Sequence, residues 1–199
     1  MQDETNVPCN PWISMWLHPR RTMQQIIDRK PGKVPWGMAA LYGFAFVLVS
    51  AMGTMDGDLD KALTMLIISP IAGPLGGVFA MAVQTFLLFH TGRWIHGLGT
   101  QATIAAAWTW SAIPLIWLTP VAIGAFLVAL ATKNLNHPVI ALLSLGVGGV
   151  TIWSWFTASK CMAVAQGFQS AWLGLWNYIL GGFVGIAFVV VLLSVSLFL

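Results

Sequence analysis

Between Ala62 and Leu199 the sequence holds no Asp or Glu, and its only Lys and Arg there are Arg93, Lys133 and Lys160. That absence excludes an ordinary soluble domain, whose surface needs charges of both signs to stay solvated. It also removes the buried carboxylate that commonly serves as the proton or cation handle in membrane transport. HExxH, GxSxG and P-loop patterns are missing, so an intramembrane metalloprotease would lack its general base. Cysteine is scarce. Cys9 and Cys161 show no CxxC spacing and support neither a disulfide framework nor a zinc site.

Apolar residues fill the space. They make up 58% of the chain and charged residues 8%, against about 25% charged in a typical globular domain, and the mean hydropathy is +0.81. Eleven Trp and twenty Gly suit membrane helices, where Trp anchors interfaces and Gly permits close packing. The expected fold class is therefore all-α, a polytopic membrane helical bundle. The polar N-terminal stretch does not read as a cleavable signal peptide.

Residues 1–35 read as a cytosolic head and residues 36–199 as a transmembrane domain. In the head, Asn10-Pro11-Trp12 opens a stretch that is amphipathic at best. Pro19 suits the first position of a short helix, because its missing N–H costs nothing there. That helix is expected to reach about Arg29 and stop before Pro31-Gly32. Met23, Ile26 and Ile27 share one face, with Arg20, Arg21, Gln24, Gln25 and Asp28 mostly on the other. Two readings stand: an interfacial helix with arginines toward anionic headgroups, or a solvated helix docked on the bundle.

Five apolar segments follow, at residues 36–55, 62–88, 103–130, 138–158 and 177–199. A span needs roughly 20 residues as helix. The second and third exceed this and must tilt, kink or start in the interface. Ser69-Pro70 with Gly73-Pro74-Leu75-Gly76-Gly77, and Pro114 and Pro120, supply the means. Arg20, Arg21, Arg29, Lys30 and Lys33 precede the first segment, which puts the N-terminus inside. Alternation then puts Arg93 and Lys160 inside and Lys61 and Lys133 outside with the acidic loop around Asp56, Asp58 and Asp60. The topology is N-in, C-out with five spans, the last ending at Leu199.

Few side chains offer chemistry. His90 and His96 flank Arg93, with His18 and Cys9 on the same side, but the spacing matches no closed zinc pattern; a basic turn meeting lipid phosphates is the plainer reading. The Ser69–Gly77 cluster could expose backbone to a substrate, or could be a packing kink with Gly73 and Gly77 as a small-xxx-small surface. Gly181 and Gly185 form a GxxxG for helix contact, within one chain or between two copies. Trp108, Trp110, Trp117, Trp153, Trp155, Trp172 and Trp176 fit aromatic belts. A quaternary-ammonium cage would lack an acidic partner.

The head with Asn10-Pro11-Trp12 and the run His18-Pro19-Arg20-Arg21-Thr22-Met23-Gln24-Gln25-Ile26-Ile27-Asp28, Gly99-Thr100-Gln101-Ala102-Thr103 before the third segment, and Trp153…Ala163-Val164-Ala165-Gln166-Gly167-Phe168 after the fourth together resemble bacterial Yip-domain proteins. That family is named for Ypt/Rab-interacting membrane proteins. The resemblance implies five transmembrane helices, N-in and C-out. It also implies a fourth helix running to about Ala165, with Lys160 snorkelling from its last turns. Eukaryotic relatives bind prenylated small GTPases and help shape secretory membranes. Their cytosolic Asp-Leu-Tyr-Gly-Pro stretch has no counterpart here, so Rab binding is not carried over, and the family offers no catalytic residue to transfer.

The function expected is a non-enzymatic protein of the bacterial inner membrane, a scaffold or membrane-organising factor without cofactor, metal or nucleic acid. Its partners are membrane lipids, met by Arg20, Arg21, Arg29, Lys30, Lys33 and Arg93, and a second copy of the chain through Gly181 and Gly185. The alternative is a transporter, channel or lipid scramblase. Its path would pass Ser69, Pro70, Gly73, Pro74, Pro114 and Pro120, lined by Gln84, Thr85, Ser111 and Thr119.

Overall fold

A computed structural model describes residues 10–29, 36–53, 59–132 and 138–196, and every regular element among them is an α-helix. Helix α1 (Pro11–Leu17) is N-capped by Asn10, whose side chain accepts from Trp12 N at 3.1 Å. Pro11 stands at the start, where its missing donor is harmless. His18 joins it to α2 (Pro19–Asp28), which again opens on proline and ends one residue short of the expected Arg29. The remaining helices are α3 (Trp36–Gly53), α4 (Leu59–Trp94), α5 (Gln101–Trp110), α6 (Ile113–Ile116), α7 (Thr119–Thr132), α8 (Pro138–Gln166) and α9 (Ala171–Ser196).

Four stretches are long and apolar enough to cross a membrane: Leu63–Trp94, Gln101–Val128, Ala141–Gln166 and Ala171–Val190. The apolar run of α3, Trp36–Ala51, is shorter. These helices are apolar all round rather than amphipathic, so sequence periodicity does not say which face is inside. Glycines decide it for α3 and α4. A Cβ on Gly73 would stand 2.7 Å from Phe44 Cα, and one on Gly43 would stand 2.6 Å from Gly77 Cα. The two backbones touch, and only glycine permits that.

That contact is the small-xxx-small packing surface read at Gly73 and Gly77, and the alternative of a broken second segment is not found. Helix α4 continues through Pro70 and Pro74 without interruption. Proline at 70 deprives Leu66 O of its helical donor, and the Ser69 hydroxyl donates to that carbonyl at 2.9 Å. The third segment is the one that breaks. Ser111 N still reaches Ala107 O, but Ala112 N tightens onto Thr109 O, and the chain restarts with Pro114 in the first turn of α6. A second interruption at Trp117 and Leu118 precedes α7, with Pro120 as its second residue.

Helix α5 is the central rod. Ile104, Ala105, Ala106, Ala107 and Thr109 are all buried, and its alanines let α2, α4 and α8 approach closely. The head is docked on this rod: Met15 of α1 and Met23 of α2 lie in one core cluster with Leu88, Ile104, Ile113, Cys161 and Met162. A second cluster, around Leu48, Ala122, Ala125 and Phe126, joins α3 to α7.

Candidate functional site

The densest polar arrangement lies where α4 and α8 finish. Both helices end in the same cap. Gly97 N returns to Gly92 O at 2.7 Å and His96 N to Arg93 O at 3.2 Å, with His96 in the left-handed region at φ 63°. On α8, Phe168 N returns to Ala163 O at 2.7 Å and Gly167 N to Val164 O at 3.1 Å, with Gly167 at φ 74°. Each is a Schellman motif. Helix α5 then starts with a capping box between Thr100 and Thr103.

Gln166 ties these ends together. Its Nε2 donates to Leu88 O at 3.0 Å, its Oε1 accepts from Gly99 N at 3.2 Å, and its backbone O accepts from Leu98 N at 2.9 Å. A Cβ on Gly92, Gly97 or Gly99 would run into this side chain. Asn177 of α9 adds Nδ2 to the same Leu88 O at 3.2 Å, which leaves its Oδ1 to accept from Thr91 Oγ1 at 2.7 Å. Both amides are buried. In a low-dielectric interior such satisfied networks fix one arrangement, because any unpaired member is costly. Ser159 Oγ donates to Ala171 O at 2.8 Å and sets the α8–α9 turn.

The cations expected at a membrane surface divide. Arg20 donates to Phe168 O at 3.3 Å and Gln169 O at 3.1 Å, so it fastens α2 to the α8–α9 turn while its residue stays exposed. Arg21 and Arg29 are exposed, and Lys30 and Lys33 lie outside the described residues. Arg93 covers its own Phe89 ring at 5.2 Å. Lys160 lies 4.1 Å over Phe156.

The expected path residues are not brought together as one lining. Ser69 and Ser111 bond to carbonyls of their own helices. Pro70 is exposed, Pro74 half-buried, Pro114 buried in α6 and Pro120 exposed. Gly73 is sealed against α3. Thr85, Thr119 and Thr157 instead hold buried hydroxyls without a hydrogen-bond partner. A Cβ on Gly181 would stand 3.3 Å from Leu88 Cδ2 and one on Gly185 3.2 Å from Leu87 Cδ1, so this GxxxG faces α4 of the same chain. Among the described residues no three His, Cys, Asp or Glu gather as a metal site.

Gln166 lies in the stretch that carries the family resemblance, but no role was read for it or for Asn177. Their signal is chemical: a side-chain amide in or beside an apolar run must find an internal partner. Which partner is not written nearby.

Residues 13–195 match the family model of the Yip1 domain. No curated protein and no solved structure matches the chain.

Proposed function

We propose that this chain, which belongs to the Yip1-domain family, is a non-enzymatic, membrane-organising scaffold of the bacterial inner membrane. It spans the bilayer five times, N-in and C-out, with α3 as the first and shortest span. At 18 residues α3 reaches about 27 Å, close to the hydrocarbon thickness. The observation that carries the reading is the fixed posture of α2. Pro19, Thr22 and Met23 face the bundle while Arg20, Arg21, Gln24, Asp28 and Arg29 face outward. This holds a basic face beside apolar helices, and the family match and the apolar helices support the membrane setting. Lys30 and Lys33 continue the charge in sequence. Each such cation attracts an anionic surface by about 1 kcal/mol.

The test uses the whole protein in nanodiscs of neutral lipid doped with anionic lipid. Wild type should retain anionic lipid through gentle extraction, less so at high salt. Reversal of Arg21, Arg29, Lys30 and Lys33 to Glu should abolish the preference. Equal retention by both proteins at every salt concentration would sink the headgroup role.

A second reading, a transporter, channel or lipid scramblase, draws on the unpartnered hydroxyls of Thr85, Thr119 and Thr157 and the interrupted third segment. In reconstituted vesicles its path would run by Ser111 and Thr119 rather than by Gly73. Flux altered by Pro114→Ala in a folded protein would favour it.

A further inference from the structure

We propose that α1 re-enters the bilayer beside the broken third segment, and that the hollow between Trp12, Ile13, Trp16, Leu17 and Trp117 seats lipid acyl chains. The proposal rests on the membrane setting of the reading above, not on its headgroup role.

Depth is the first argument. Helix α5 begins where α8 ends, with the Thr103 hydroxyl 3.4 Å from Ala165 O. Ten residues later it finishes at Trp110, and ten helical residues advance about 15 Å. Trp12 of α1 meets the Trp110 ring edge-on at 6.4 Å, and α1 packs on α6, in the middle of the apolar stretch Gln101–Val128. Helix α3 gives an independent measure. Tyr42, six residues inside its start, meets Trp108 edge-on at 4.8 Å. Six residues are about 9 Å. Measured from the start of α3 at Trp36, α1 therefore lies on the order of 10 Å along the bundle, within a hydrocarbon layer about 30 Å thick.

Chemistry is the second argument. A segment at that depth must satisfy its polar groups internally. In α1 the Asn10 side chain caps Trp12 N, and Ser14 Oγ donates to Asn10 O at 2.8 Å. The facing Thr22 hydroxyl reaches Ser14 Oγ and His18 O, both at 2.9 Å. No residue from Pro11 to Leu17 is charged. Arg20, the first cation, extends away from α1 to the Phe168 and Gln169 carbonyls, the direction a snorkelling side chain takes.

Exposure is the third. Ile13 is 61% exposed, Leu17 71% and Trp117 51%. With Trp12 and Trp16 they line an open hollow of about 360 Å³. Trp117 belongs to the same apolar stretch as the exposed Ile123 and Leu127.

The experiment places nitroxide labels at Ile13→Cys, Leu17→Cys and Trp117→Cys, one at a time, in full-length Cys9→Ser protein in neutral-lipid nanodiscs. Cys161 is buried and stays in place. Arg29→Cys on the exposed end of α2 is the reference. Expected are labels at 13, 17 and 117 that collide with oxygen at least several-fold more effectively than with a water-soluble nickel chelate, and the reverse at 29. Nickel access at 13 and 17 comparable to 29 would overturn the proposal. Protection from both reagents would also overturn it, since a protein partner or second copy would then fill the hollow. All these positions are exposed, and native-like thermal unfolding of each labelled protein confirms an intact fold. Because the lipid is neutral, failure of the headgroup role leaves the result unchanged.

Discussion

Gln166 and Asn177, eleven positions apart on two helices, donate to one oxygen: Nε2 and Nδ2 stand 3.0 and 3.2 Å from Leu88 O. Two side-chain amides from outside its own helix thus converge on a single main-chain acceptor of α4. The convergence joins α4, α8, α9 and the entry to α5 at one buried point.

Gln166→Leu should therefore destabilise the protein more than its size suggests. It strips Gly99 N of its acceptor, and a buried donor left unpaired costs about 1–3 kcal/mol, while Leu88 O keeps Asn177 Nδ2. Asn177→Leu should cost less, because the Thr91 hydroxyl keeps Leu87 O as an acceptor at 2.9 Å. Thermal unfolding in detergent should show both effects. The double variant should exceed the sum of the two singles, because in each single variant the other amide still holds Leu88 O; strict additivity would count against a shared node.

His96 and Gly167 occupy equivalent cap positions with left-handed backbones. A residue with a Cβ pays about 1 kcal/mol there. His96→Gly should raise Tm, and Gly167→Ala should lower it by a comparable amount. The same sign for both substitutions would contradict the cap assignment.

Glycines in α4 should split into two classes. Gly77→Ala would drive a Cβ into Ala39 O and Gly43 of α3, and Gly73→Ala into Phe44. Both should reduce the yield of folded protein. Gly76→Ala meets nothing within 4 Å and should be neutral or slightly stabilising, since alanine is the better helix former. Monodispersity on size exclusion separates the outcomes.

Met15 shields Cys161, with sulfurs 3.5 Å apart and both residues fully buried. Met15→Ala should cost about 2–5 kcal/mol through the cavity it leaves. It should also speed maleimide labelling of Cys161 in the folded Cys9→Ser protein. Labelling at the wild-type rate would mean that α1 is not the cover.

The helix start at Pro19 was legible because its signal is local, and α2 opens there. The caps at Asn10 and Thr100 also act within one turn, yet the sequence reading set no helix start at either. Burial by the head was only half legible. The apolar face of Met23, Ile26 and Ile27 is visible in sequence, but a short amphipathic helix suits a membrane surface and a bundle alike. Asn177 read as the start of a span; in fact α9 starts at Ala171 and makes Asn177 a buried partner of α4.

What the sequence determined by itself is the solvent. A stretch without carboxylates and with apolar runs of bilayer length commits the chain to helices in a membrane, because no other regular structure but a closed barrel satisfies its backbone there. Tertiary structure decided everything that depends on facing. Pro70 and Pro74 remain inside a continuous helix, since Ser69 replaces the missing donor and Gly73 and Gly77 press α4 onto α3. The third segment breaks ahead of Pro114, where the turn tightens and α1, α3 and α8 pack around the resulting α6. Gly181 and Gly185 meet α4 of their own chain. Helices apolar on every side carry no periodic mark of their inner face, so only packing between distant segments could choose it.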